Sequence, residues 1–290
     1  MNSKVSNLVE EEKDRVLINS AIEFLSSRDG ITKTDVELHL TPVKEKPNDL
    51  KDIYRQFCFS AQNRQMSAKV IGGSIGDFDN LRVVLFDFSP QKVAEKYSKG
   101  SAQELLNDIQ KKLNPKGQMR TTNRSLWPQY CQSVIDSAHF IKSFDTADDF
   151  YKWANFFTKN SKAKPALPLM ISVEVSGFGF PLACDFLKEL GYTEYGKPDV
   201  HLKNIFEELG LIDPNEKSAL KQNYEILKVI DRIAHSCNKT AYAVDKIFWL
   251  IGSGDFYRSE PKKKIGSQKQ KFISEMKKKI EIKNYIIENG

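Results

Sequence analysis

The sequence is poor in the residues that build metal centres and disulfide frameworks. Its four cysteines, Cys58, Cys131, Cys184 and Cys237, lie far apart with no C-x-x-C pair, and its four histidines, His39, His139, His201 and His235, are equally scattered. This spacing argues against zinc or an iron–sulfur cluster, and no metal and no small-molecule cofactor is expected. The cysteines read instead as buried apolar thiols in a reducing compartment. A long hydrophobic run is also missing. The most apolar stretch, Ala166 to Leu187, is broken by Glu174, Asp185, glycines and prolines, which makes it a poor membrane span. The early Glu10-Glu11-Glu12-Lys13 segment carries no apolar signal. The expectation is an intracellular protein, cytoplasmic or nucleoid-associated, working without a membrane.

What is present suits a globular chain. Its 290 residues, 40% hydrophobic and 11% aromatic, can bury the core of one or two domains. The net charge is +6, and residues Glu260 to Gly290 hold nine lysines against four glutamates. A basic tail of this kind fits either a grip on phosphates or a solvated helix in which Phe272, Ile273, Met276 and Ile280 form a weak apolar stripe.

Most of the chain reads as helix. Ser101 and Glu104 have the spacing of a capping box opening Ala102 to Leu113, where Leu105, Leu106, Ile109 and Leu113 share a face. Pro128 starts a helix carrying Cys131, Val134, Ile135 and Ala138; Asp213-Pro214 is placed to cap one with Ile226, Val229, Ile230 and Ile233; Thr240 begins another with Val244, Ile247, Phe248 and Ile251 inward. Only Leu81 to Phe88 looks strand-like, ambiguously. Linker signals at Thr41 to Asn48, Lys159 to Pro168 and Arg258 to Lys264 suggest a helical body followed by an appendage.

Two segments carry chemistry. Val175-Ser176-Gly177-Phe178-Gly179-Phe180-Pro181 puts two glycines between apolar helices, a tight turn whose bare backbone N–H groups can approach a phosphate; alone, it fits an ordinary inter-helix turn equally well. Further on, Lys197-Pro198-Asp199-Val200-His201-Leu202, with Asp199 eighteen residues beyond Pro181, opens another helix. A third segment, Phe57-Cys58-Phe59-Ser60-Ala61-Gln62-Asn63, lies far upstream.

Together the three resemble the helix-hairpin-helix DNA glycosylases, the superfamily of endonuclease III and 8-oxoguanine glycosylase, over roughly Ile53 to Leu209. The resemblance implies an all-α, two-lobed fold with a central cleft. On that reading residues 1–50 with 200–258 form the second helical lobe, 51–199 the helical barrel with wedge and hairpin, and 259–290 a basic tail. It implies a monomer acting on double-stranded DNA in base excision repair or against a modified base. Asp199 would be the catalytic carboxylate, and Gln62 the residue that fills the gap left by a flipped base, with Asn63 and Arg64 beside it. Gly177, Gly179 and His201 would contact phosphates, and Arg124, grouped with Lys116 and Arg120, would add to DNA binding. Phe59, Phe248 and Trp249 are candidates to stack on the extruded base, with core packing as their competing role.

One departure bears on mechanism. Strand-cleaving members carry a lysine two residues after the hairpin's second glycine, where this chain has Pro181, which has no amine for a Schiff base. The resemblance therefore implies a monofunctional enzyme that hydrolyses the N-glycosidic bond with an Asp-assisted water, with Lys197, two residues before Asp199, as a candidate substitute amine. The alternative is a catalytically silent helix-hairpin-helix protein that recognises distorted DNA. A restriction-like nuclease finds little support, because Glu207-Glu208 is followed by Leu209-Gly210 with no lysine.

Overall fold

A computed structural model describes residues 2–42, 45–63, 69–122 and 124–289, with side chains described for residues 10–279 apart from residue 69. The regular structure of the described chain is almost all helix, and its sole sheet pairs two residues with two, Asp255–Phe256 (β1) antiparallel to Lys263–Lys264 (β2). Among the described residues no helix is long and apolar enough to cross a membrane. The chain divides into two compact units, one made of Met1–Val43 and Tyr192–Gly290, the other of Lys44–Gly191.

The first unit is built from α1 (Asn2–Ser26), α2 (Lys33–Leu40), α11 (Val200–Glu208), α12 (Ala219–Ser236), α13 (Ala241–Ser253) and α14 (Lys269–Asn289). α13 is its centre, packed by α1, α2, α11, α12 and α14. The reason is in its composition: nearly every residue from Ala241 to Gly252 is apolar or buried, so it has no wet face to offer. Thr240 caps it through its side chain, which accepts from the Ala243 N–H at 3.1 Å, and Gly254 ends it in the left-handed region at φ 63°.

The structure places residues 259–289 inside this unit, not beside it. Phe272, Ile273 and Met276 of α14 are buried in the same core as Phe24, Phe206 and Phe248. The chain approaching α14 is pinned by two backbone bonds to the end of α13: Ile265 N–H to Gly254 C=O and Gln268 N–H to Ile251 C=O, both 2.9 Å. Several of its lysines are engaged within the unit: Lys263 with Asp35 at 2.6 Å, Lys277 with Glu208 at 2.6 Å and Lys279 with the Ser20 hydroxyl at 3.2 Å. The apolar stripe expected of this segment thus outweighs its lysine content.

The second unit comprises α3 (Leu50–Ala61), α4 (Lys69–Ser74), α5 (Pro90–Lys96), α6 (Ala102–Leu113), α7 (Leu126–Ile141), α8 (Ala147–Thr158), α9 (Ala166–Glu174) and α10 (Phe180–Glu189). α7 is its axis, contacted by α3, α5, α6 and α9. Twelve of its sixteen residues are buried, the mark of a helix enclosed on nearly all sides.

Three local expectations change. Leu81 to Phe88 forms no strand: Phe78–Val83 is a 3-10 turn and Phe86, Asp87 and Phe88 follow with φ of 51°, 52° and 57°. The buried residues there, Leu81, Val84, Leu85 and Phe88, recur at helical and not alternating intervals. Ser101 makes no side-chain cap; its hydroxyl donates backward to Ser98 C=O at 2.8 Å. Asp213 closes its own short turn onto Asn215 N–H at 2.8 Å, and α12 begins later under Ser218, whose side chain accepts from Lys221 N–H.

Candidate functional site

The approach to α11 explains where Asp199 sits. Tyr192 and Tyr195 are fully buried, and Thr193 C=O accepts from Tyr242 N–H of α13 at 3.0 Å. Gly196 then lies so close to its neighbours that an added Cβ would stand 2.9 Å from Ile230 Cδ1 and 3.1 Å from Asp245 Cβ. Only a bare backbone passes there. Pro198 follows, and Asp199 N–H closes onto Lys197 C=O at 2.8 Å.

Asp199 is extended at φ −98°, ψ 178° and caps α11, its Oδ1 accepting from His201 N–H at 2.8 Å and Leu202 N–H at 3.1 Å. Both bonds use one oxygen. Among the described residues Oδ2 accepts no protein hydrogen bond, so the carboxylate keeps one oxygen for other work. The carboxyl holds its proton more tightly than an ordinary aspartate. Burial is the first cause and the charge of Asp245 the second, against the Leu202 N–H bond and the electrostatic influence of His201 and Lys197.

Asp245 was not among the residues singled out from sequence. It is 1% exposed on α13, in the middle of an apolar run. Its one legible signal is position: Ala241, Asp245, Phe248 and Gly252 fall at intervals of four, three and four, so an acid occupies a stripe that is otherwise small or apolar.

His201 sits on the same stripe. A Cβ at Gly252 would come within 2.5 Å of the Cβ, Cγ and Nδ1 of His201, so the imidazole rests directly on the bare backbone of α13. Its Nδ1 is buried without a hydrogen-bond partner. The expected phosphate contact is therefore not available through Nδ1. Lys197 is half-buried and acts on Asp199 through its charge.

The expected stacking residues divide. Phe248 is fully buried, edge-on to Phe206 at 5.1 Å and to Phe272 at 6.4 Å, and belongs to the core. It cannot stack on a base without unpacking the unit. Trp249 is half-buried, and its ring has the Lys246 ammonium 5.2 Å from its centroid. Lys246 also lies over Tyr242 and Tyr257 and donates to the Tyr257 hydroxyl at 3.1 Å. Phe59, in the other unit, is half-buried and edge-on to Phe78 at 5.2 Å.

The glycine hairpin joins α9 to α10 in the second unit. Gly177 has φ 84°, a value that disfavours any side chain, while Gly179 is exposed at φ −64° and begins α10 with no side-chain cap. Pro181 occupies the first turn of α10 and contributes no N–H. The turn is strapped to α7: Ser176 N–H donates to Asp136 Oδ2 at 3.1 Å, and Ser176 C=O accepts from Ser133 Oγ at 2.5 Å. Phe178 anchors it from beneath, 5.4 Å from Phe57.

Gln62 points inward. It is 1% exposed, and its Oε1 accepts from Gly72 N–H at 3.0 Å, tying the end of α3 to α4. This corrects the expectation of a side chain held out to fill a gap in DNA, because its amide is spent on a buried donor. Asn63 is half-buried, with its N–H on Ser60 C=O at 2.9 Å. Arg64 lies outside the described residues. Arg124 is exposed just before α7. Cys58, Cys131 and Cys184 are buried and Cys237 is half-buried; burial pushes the Cys58 thiol up to about 12. Among the described residues no three His, Cys, Asp or Glu side chains converge.

No family model matches the sequence, and no curated protein does. Two solved structures from Methanocaldococcus jannaschii show similarity to this chain. The 8-oxoguanine glycosylase/lyase in complex with a 15mer DNA containing 8-oxoguanine shares 14% identity over 79% of this chain and 94% of its own, with a TM-score of 0.48. The 8-oxoguanine DNA glycosylase structure shares 16% over 79% and 90%, with a TM-score of 0.47. At this level of likeness neither assigns a role to a residue of this chain.

Proposed function

We propose that this chain is a DNA glycosylase that excises a damaged or modified base, with Asp199 as its catalytic carboxylate. The observation that carries the reading is the state of Asp199: one oxygen fixes the helix start, the other has no protein donor, and burial beside Asp245 raises its proton affinity. Breaking an N-glycosidic bond builds positive charge on the deoxyribose. A carboxylate with one anchored and one available oxygen can stabilise that charge and orient or deprotonate the attacking water. The hairpin at Gly177 and Gly179 supplies backbone donors for the DNA strand.

With Pro181 where an amine would be needed, the reaction stops at an abasic site. The C1′–N bond breaks, water supplies the hydroxyl, and its proton passes to Asp199 or to the leaving base. Asp199→Asn retains the cap and the shape but removes the charge, so base release from lesion-bearing duplexes should fall about a hundredfold or more with DNA binding retained. Borohydride should trap no covalent adduct with the wild-type protein. Full activity in Asp199→Asn overturns the catalytic assignment. Efficient trapping overturns the hydrolytic one and points to Lys197. Duplex binding with no base release from any lesion favours a silent DNA-binding protein.

A further inference from the structure

Outside the surroundings of Asp199, one place in the second unit combines shape and unbalanced charge. An open groove of about 680 Å³ lies between the end of α4 and the start of α7, lined by Lys116, Arg120 and Arg124 together with Thr122, Ser125 and Trp127. No carboxylate is among its lining residues. All three cations are exposed, and among the described residues none forms an ion pair. Some other cations of this unit are paired, as are Arg55 with Asp79, Lys96 with Asp108, and Lys188 with Asp185, and what sets the three apart is that they line one groove together.

The groove's backbone is held in place. Lys116 N–H donates to Ser74 C=O at 2.7 Å, fixing the loop after α6 onto the end of α4. Thr122 and Ser125 share a hydroxyl–hydroxyl bond of 2.6 Å, and Gln129 Nε2 donates to Arg124 C=O at 2.8 Å. Trp127 is 5% exposed, so its ring supports the wall and offers no stacking platform to a splayed base.

The groove also shares a helix with the hairpin. Ser125 precedes α7, and the hairpin's two straps, Ser133 and Asp136, stand eight and eleven residues further along it. At 1.5 Å per residue that separation is roughly 12 to 16 Å.

We infer that this groove is a second seat for the phosphate backbone of duplex DNA, in which Lys116, Arg120 and Arg124 hold a stretch of the strand that the glycine hairpin grips further along α7. The inference rests on the DNA reading above. The contact is to the backbone alone and independent of base, because the groove presents cations and hydroxyls to anions and keeps its one aromatic ring buried.

The test is duplex binding by the full chain as a function of salt, using an undamaged duplex as the probe. Each phosphate contact contributes about 0.9 to the slope of log affinity against log salt. The variant Lys116→Gln/Arg120→Gln/Arg124→Gln should flatten that slope by about 2 to 3 and weaken low-salt binding tenfold or more. A charge-matched control, Lys51→Gln/Lys92→Gln/Lys99→Gln, changes three exposed lysines of the same unit and should leave the slope near wild type. An unchanged slope in the groove variant overturns the seat, and so does an equal flattening in the control, which would reduce the effect to net charge. Either result leaves the Asp199 assignment standing, since that depends on base release and not on salt.

Discussion

The two units differ in where they leave charge unpaired. The first pairs or buries much of it: Arg232 lies on Asp14 and Glu10, Lys263 on Asp35, Lys277 on Glu208, and Asp245 is buried with its charge acting on Asp199. The second leaves Lys116, Arg120 and Arg124 exposed around one groove. Counting charge along the chain made residues 260–290 a candidate polyanion grip, with a solvated helix as the alternative, because the excess is largest there. A lysine already engaged by a carboxylate or hydroxyl has less positive field to offer a phosphate, so where charge is unspent matters more than where it is dense.

The largest expected effect separates these two uses of basic residues. Deleting residues 259–290 removes Phe272, Ile273 and Met276 from the first unit's core, at roughly 1.5 to 3 kcal/mol each, and takes Lys263 from Asp35. The total approaches the whole stability of an ordinary domain. Calorimetry should show the first unit's transition lost or shifted far down. An unchanged melt with weaker DNA binding would restore the segment to the role of a free basic arm. The milder Phe272→Ala should cost about 3 to 5 kcal/mol.

A smaller effect concerns the buried carboxylates. Burial and Asp245 raise the proton affinity of Asp199. Activity that needs the ionised form should therefore rise with pH through a value above the ordinary 3.9 or so of an aspartate. Removing the like charge lowers that value, so Asp245→Asn should move the acid limb of kcat/KM to lower pH. A limb that stays in place would show that Asp245 does not set the ionisation of Asp199.

The smallest contrast lies within the hairpin. Gly177→Ala forces a side chain into φ 84° and should destabilise the second unit by roughly 1 to 2 kcal/mol, lowering its melting temperature. Gly179→Ala meets no strain, since φ is −64° and the nearest atom to a new Cβ is Pro181 Cδ at 3.8 Å. Its melting temperature should not move, and any loss of duplex affinity then reports how closely a phosphate approaches that backbone. Equal melting temperatures for the two variants would remove the distinction.

The helical architecture was legible because long apolar stripes at helical spacing leave little choice, as in α13. Asp199 as a helix cap was legible too, because Lys-Pro-Asp before an apolar run is a local arrangement that needs no tertiary information. Direction was not. Gln62 turns inward because Gly72 offers a buried N–H, a partner ten residues away that no periodicity reveals. Phe248 and Trp249 are neighbours in sequence, yet one is core and the other lies against Lys246, a difference set by which face of α13 meets α11 and α14. Asp245 stayed hidden for the same reason.

Gly196 and Gly252 lie on either side of Asp199 in sequence, and both face the join between α13 and the segment that carries it, one against Asp245 and the other under the His201 ring. The position of the carboxylate is thus gauged by two missing methyl groups. An alanine at either point would act as a shim, lifting the start of α11 away from α13 while leaving Asp199 and its charge intact. If Asp199 acts as proposed, a displacement of about 1 Å can cost a hundredfold in rate, so clearances in the neighbouring helices would matter to the chemistry as much as the acid itself.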